Sequence, residues 1–131
     1  MNRFHILALS SVVAVASSAC IIQSNNTQAA GTFEIDWTIN GQNNSSSLCN
    51  QSAVATIEVV VTRNGATQGT YTSSCANFAT YVDFQPGSYA FAATLLDSAG
   101  NARTTTASNT FVIYSNQRTI VPVDFPPSSF F

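Results

Sequence analysis

Residues 32–40, TFEIDWTIN, alternate without exception between apolar and polar side chains. Phe33, Ile35, Trp37 and Ile39 fall on one side, and Thr32, Glu34, Asp36, Thr38 and Asn40 on the other. A period of two sends every second side chain to the same face of an extended backbone, the mark of a strand with one buried face. The pattern recurs along the chain. In AVATIEVVVTR, Ala53 to Arg63, Ala55, Ile57, Val59 and Val61 oppose Thr56, Glu58, Val60 and Thr62. In SYAFAATLLD, Ser88 to Asp97, Tyr89, Phe91, Ala93 and Leu95 share a face. Arg118 to Phe125 sets Val121, Val123 and Phe125 on one side and Pro122 on the other.

The remaining segments fit the same scheme. Asn64-Gly65 is a strong two-residue hairpin signal, because both residues tolerate positive φ in a type I′ turn. It makes Gln68 to Ser73 the returning strand. A fourth strand is expected over Thr80 to Phe84, ended by Pro86-Gly87, and another over Arg103 to Ile113. Ser98-Ala99-Gly100-Asn101 turns the chain between its neighbours. Pro122 has no N–H for a ladder, so the last strand is expected at a sheet edge. The segment Gly41 to Gln51, GQNNSSSLCNQ, has no hydrophobic period and reads as a loop, and the terminal PPSSFF is too short to form an element. Seven turn-punctuated strands, with no helical period after the first residues, point to a β-sandwich.

The chain begins with a different signal. One Arg within Met1 to His5, the apolar residues Ile6 to Leu9 and Val12 to Ala16, and Ser17-Ser18-Ala19 before Cys20 are the n-region, h-region and cleavage site of a signal peptide over residues 1–19. The apolar run falls short of the about 20 residues a membrane span needs. SSAC resembles the lipobox of bacterial lipoproteins, in which small residues precede a Cys that takes a diacylglycerol. Ala19 and Ser18 fit, while Ser17 stands where that family has Leu or another aliphatic. The rival is an ordinary signal-peptidase cut after Ala19 or near Ala29-Ala30. Three cysteines in an exported chain leave one unpaired. Lipidation of Cys20 would leave Cys49 and Cys75 as a disulfide enclosing 25 residues. By analogy with lipoprotein sorting, Ile21 in place of Asp after the Cys implies the outer membrane. Residues 20–31 then form a lipidated tether, flexible by composition, ahead of a domain over residues 32–127.

Within that domain, PGSYAFAATLLDSAGNART resembles the P-G-x-Y…D-x-x-G-N strand pair of bacterial immunoglobulin-like, fibronectin-like and carboxypeptidase-regulatory-like sandwiches. The resemblance implies that Tyr89 packs at a sheet corner and that Gly100-Asn101 makes a hairpin. The whole chain is similar to small one-domain lipoproteins of Gram-negative bacteria, a group with no assigned activity. The expected fold class is therefore all-β, an antiparallel immunoglobulin-like β-sandwich of about seven strands after an N-terminal signal helix.

Charge narrows the function classes. The chain is 45% hydrophobic and only 8% charged, which excludes an intrinsically disordered chain. Beyond the leader lie Arg63, Arg103 and Arg118 against six carboxylates, so no basic footprint for nucleic acid exists. The only His is His5 and there is no Lys, so a nucleophile in the domain would need a carboxylate as its base. Glu34 and Asp36 lie about 7 Å apart along a strand, a spacing glycosidases use, but they are equally the wet side of that strand. Asp97 and Asn101 flank a turn; two side-chain oxygens are too few for Ca²⁺, which takes six to eight. No cofactor, metal or catalytic residue is expected. Of the aromatics, Phe33, Trp37, Tyr89 and Phe91 fit the buried parity, whereas Tyr71, Phe78, Tyr81, Phe84 and Tyr114 have no settled face. An exposed row of these would suit a glycan or peptide strand. Sequons at Asn25, Asn43, Asn44 and Asn50 matter only in a eukaryotic host. The reading is a non-enzymatic envelope lipoprotein, with its membrane contact through the lipid and a protein or glycan as the possible partner. The alternative is a secreted, unlipidated adhesin or carbohydrate-binding domain.

Overall fold

The computed structural model describes residues 28–131. The signal peptide expected over residues 1–19, its helix, Cys20 and the first sequon at Asn25 lie outside the described residues. Seven strands follow: β1 (Gly31–Ile39), β2 (Thr56–Arg63), β3 (Ala66–Ser74), β4 (Ala79–Phe84), β5 (Gly87–Leu96), β6 (Ala107–Ile113) and β7 (Arg118–Phe125). They form two sheets, one of three strands in the order β4-β1-β7 and one of four in the order β3-β2-β5-β6. The all-β sandwich expected from the alternation is the observed fold.

The parity assignments hold along β1 and β5 and along β2 from Ile57 on; β2 begins at Thr56 rather than Ala53, so Ala55 is only half-buried and Val54 is buried in its stead. Phe33, Ile35, Trp37 and Ile39 of β1, Ile57, Val59 and Val61 of β2, and Tyr89, Phe91, Ala93 and Leu95 of β5 are all buried between the sheets. At the β2–β3 hairpin Asn64 and Gly65 have φ of 51° and 78°, with Arg63 facing Ala66. β7 is an edge strand, so Pro122 sits where its missing N–H is tolerated.

Three details differ from expectation. Four of the five strand pairings are antiparallel, but β1 and β7 run parallel, from Thr32 beside Arg118 to Ile39 beside Phe125. The first and last strands can pair this way because the intervening chain passes through the other sheet, which supplies the long crossover that a parallel pair requires. The arrangement also separates β1 from β2, whereas a constant-type immunoglobulin domain keeps its first, second, fourth and fifth strands together. The segment expected as a loop contains a five-residue helix, α1 (Ser47–Gln51), which turns Cys49 into the core. A single turn of helix carries too few residues to display an apolar period.

The third difference is that β6 starts at Ala107 rather than Arg103. The backbone N–H of Leu95 donates to the Thr104 hydroxyl at 3.1 Å, so a side chain replaces a ladder bond there. Thr104 then pairs with Phe130, Thr105 N–H donates to Ser129 O at 2.8 Å, and Phe131 N–H donates to Arg103 O at 3.1 Å. The terminal residues, expected to form no element, make a 3₁₀ turn over Pro127–Ser129 against this segment.

The core is divided along the strands. Toward the Gly31 end, Phe33 stacks on Phe111 with centroids 4.0 Å apart, and Phe84, Tyr89 and Phe91 surround that pair. Toward the Ile39 end, Trp37 lies beside Phe78 and donates its indole N–H to Cys75 O at 3.1 Å. Tyr89 takes the corner position that its motif implies: its hydroxyl donates to Gln85 O at 2.6 Å, and Arg63 lies over its ring at 5.2 Å. Tyr89→Phe removes only that hydroxyl and leaves Gln85 O short of a donor. The expected loss is about 1–2 kcal/mol, read as a lower urea midpoint at unchanged m-value.

Candidate functional site

Cys49 and Cys75 are disulfide-bonded with Cα atoms 6.0 Å apart. The bridge ties α1 to the 3₁₀ turn Cys75–Asn77 that leads from β3 to β4. Val54 N–H donates to Cys49 O, and Cys75 N–H to Ala55 O, both at 2.9 Å, so the bridged residues are also stitched to the start of β2. The cysteine pair therefore shapes one end of the sandwich, the end away from Gly31.

Glu34 and Asp36 lie on the outer face of the three-stranded sheet. Register sets Tyr81 and Ile120 on either side of Glu34, and Ala79 and Pro122 on either side of Asp36. Arg118 Nη1 approaches Glu34 Oε2 to 3.0 Å, an ion pair without the alignment of a hydrogen bond. Asp36 Oδ1 is shielded and accepts no hydrogen bond. The outer carboxylates of the neighbouring strands are engaged locally. Thr32 donates to Asp83 at 2.7 Å, and Thr38 and Gly41 N–H donate to one oxygen of Asp124 at 2.7 and 2.8 Å. Four of the six carboxylates thus share one face.

Asp97 accepts from the backbone N–H groups of Ala99 and Asn101, each at 2.9 Å. It fastens its own turn. Among the described residues no group of three His, Cys, Asp or Glu is placed to hold a metal ion. No helix among the described residues is long and apolar enough to cross a membrane.

Of the five aromatics without an assigned face, Phe78 and Phe84 are buried and Tyr71 packs edge-on against Phe84. Tyr81 and Tyr114 are exposed, at 68% and 57%. Tyr81 is on the outer face of β4 and Tyr114 just beyond β6, and neither stacks on another ring. An exposed aromatic row is therefore not what the unassigned residues make.

Sequence reasoning did not single out the cavity at the Ile39 end. It has a volume of about 460 Å³ and lies between the end of β1, α1 and the terminal segment. Ile39, Leu48, Pro127 and Phe130 supply its apolar wall, and Arg103 supplies its only charged side chain among the described residues. The Arg103 backbone is pinned on both sides, donating to Leu95 O at 2.8 Å and accepting from Phe131 N–H. Its Nε donates to Ser52 O at 3.4 Å, where Ser52 caps the C-terminus of α1. The terminal guanidinium nitrogens make no hydrogen bond or ion pair among the described residues. Asn40, Gln42 and Gln51 are the neutral amide residues of its lining. The one sequence signal available was scarcity, since Arg103 is one of only three cations beyond the leader. No protein-family model matches this chain, and no curated protein matches it.

Proposed function

We propose that the chain is a non-enzymatic lipoprotein of the cell envelope, anchored through Cys20, whose sandwich serves as a binding or structural module. One observation carries the reading: Cys49 and Cys75 are bonded to each other, which leaves Cys20, at the end of a leader-like segment, as the remaining thiol of three. A small one-domain sandwich of the immunoglobulin-like or carboxypeptidase-regulatory-like kind fits this role, and Ile21 after the Cys favours the outer membrane. The tether meets the domain at Gly31, where Asn116 N–H donates to Ala30 O and the Ser115 hydroxyl to Ala29 O. From Gly31 to the cavity beside Ile39 is about 26 Å at about 3.3 Å of rise per residue. An anchored molecule would hold its cavity away from the membrane.

A second reading, a secreted and unlipidated adhesin or carbohydrate-binding domain, draws on the outer sheet face. There exposed Tyr81 stands beside Glu34 and two residues from Asp83, an exposed carboxylate on the same face of β4. Labelled palmitate fed to a Gram-negative host that expresses the full chain separates the two. The expected result is a labelled, membrane-associated protein whose label vanishes in Cys20→Ala. An unlabelled, freely soluble wild-type protein would overturn the anchor and leave the secreted reading.

A further inference from the structure

We infer that the cavity at the Ile39 end binds a small organic carboxylate with an apolar body, its carboxylate held by Arg103. This rests on the binding role proposed above but not on the lipid. Three observations converge. The cavity volume, about 460 Å³, lies in the range of small-molecule sites, which pair an apolar wall with a few fixed polar groups. The wall of Ile39, Leu48, Pro127 and Phe130 meets an apolar group, and the amides of Gln42 and Gln51 can meet a second polar one.

Arg103 is the second observation. The domain carries six carboxylates and three arginines, so most cations would be expected to lie against an acid. Arg118 does so with Glu34, and Arg63 lies on the Tyr89 ring with its Nη1 3.4 Å from the hydroxyl. Arg103 instead spends only Nε, on the Ser52 carbonyl; it lines the cavity, and its terminal nitrogens make no hydrogen bond or ion pair among the described residues. No carboxylate lines that cavity among the described residues. A guanidinium fork matches the two oxygens of a carboxylate, and the pairing strengthens where water is partly excluded. A single cation fits a monoanion better than a phosphate dianion.

The third observation is rigidity. Arg103 is held through its backbone by β5 and by the terminal segment, and through its side chain by α1, which the Cys49–Cys75 bridge fastens in turn. A donor fixed in advance loses little freedom when a ligand arrives.

The test is calorimetric titration of the full chain with 3-phenylpropionate and with hexanoate, each compared with its primary amide and with inorganic phosphate. Saturable binding of the acids at one site is expected, with the amides and phosphate at least tenfold weaker. Arg103→Gln should weaken the acids at least tenfold and bring acid and amide level, and Arg103→Lys should recover only part of the loss. Acid and amide binding alike to the wild type would mean an apolar groove without anion recognition. Undiminished acid binding by Arg103→Gln, or no binding of either acid to the wild type, would also overturn the inference. The acid–amide comparison needs no variant, so it decides the question even if Arg103→Gln fails to fold. Palmitate labelling is independent of all these outcomes, so failure of the carboxylate site and failure of the anchor are read separately.

Discussion

Trp37→Ala is expected to lower the unfolding free energy by about 3–5 kcal/mol, the largest loss from any single side chain here. Trp37 is fully buried and is the largest side chain in the core. Alanine in its place leaves a cavity between the sheets that neighbours on paired strands cannot collapse to fill. The loss is more than volume. The indole N–H is the donor to the Cys75 carbonyl at the start of the turn between β3 and β4, and alanine leaves that carbonyl unpaired while the residue 37 backbone N–H keeps its bond to Phe78 O at 2.9 Å. Trp37→Phe separates the contributions: it keeps most of the apolar volume but strands the carbonyl, for about 1–3 kcal/mol. Since a domain of this size has a total stability of about 5–15 kcal/mol, the alanine variant should be partly unfolded at modest urea. A change below about 1 kcal/mol for Trp37→Ala in urea denaturation followed by circular dichroism would show that the indole is not seated as described.

Removing the bridge in the Cys49→Ala, Cys75→Ala double variant should cost about 3–4 kcal/mol on the chain-entropy account of a loop of this length. The corresponding fall in melting temperature is roughly 12–30 °C for a domain of about 100 residues. Unlike the Trp37 loss, this one acts mainly on the unfolded chain, which regains the freedom of the closed loop. Dithiothreitol should produce a similar fall in the wild type and none in the double variant. A wild-type melting temperature indifferent to reductant would mean that the two thiols are not bridged. Because Trp37 donates to the Cys75 carbonyl, combining its substitution with the double variant should give a loss that departs from the sum of the two, as contacting residues do.

Much of this fold was legible in local pattern. Alternation identified the core-facing sides of β1 and β5, of β2 from Ile57 on, and of β7, where Val121 and Val123 are only partly buried, because side-chain direction in a strand follows from parity alone. Asn64-Gly65 located a hairpin from the backbone freedom of two residues, and Pro122 marked an edge from a missing donor. The Pro-Gly-x-Tyr motif located the Tyr89 corner. Where elements are short or bonds are non-local, the pattern was silent. Five residues of α1 show no period, and the Thr104 hydroxyl that ends the β5 pairing looks like any other strand threonine until its partner is known.

Local pattern and composition were enough to identify a β-sandwich, to assign the core-facing side chains of β1 and β5, and to leave one cysteine of three over, but not to place Phe78, Phe84 or Phe111 in the core. It took the packing of distant segments to place β1 between β4 and β7, parallel to the latter, and to bring Arg103 against α1 and the terminal segment around a cavity. The physical reason is the range of the interactions. Parity, turn propensity and cysteine count are properties of neighbouring residues or of simple sums. Sheet partition and the cavity depend instead on contacts between segments far apart in the chain, such as Ser52 with Arg103 and Thr104 with Phe130. Their closure is favoured only once the sheets have packed.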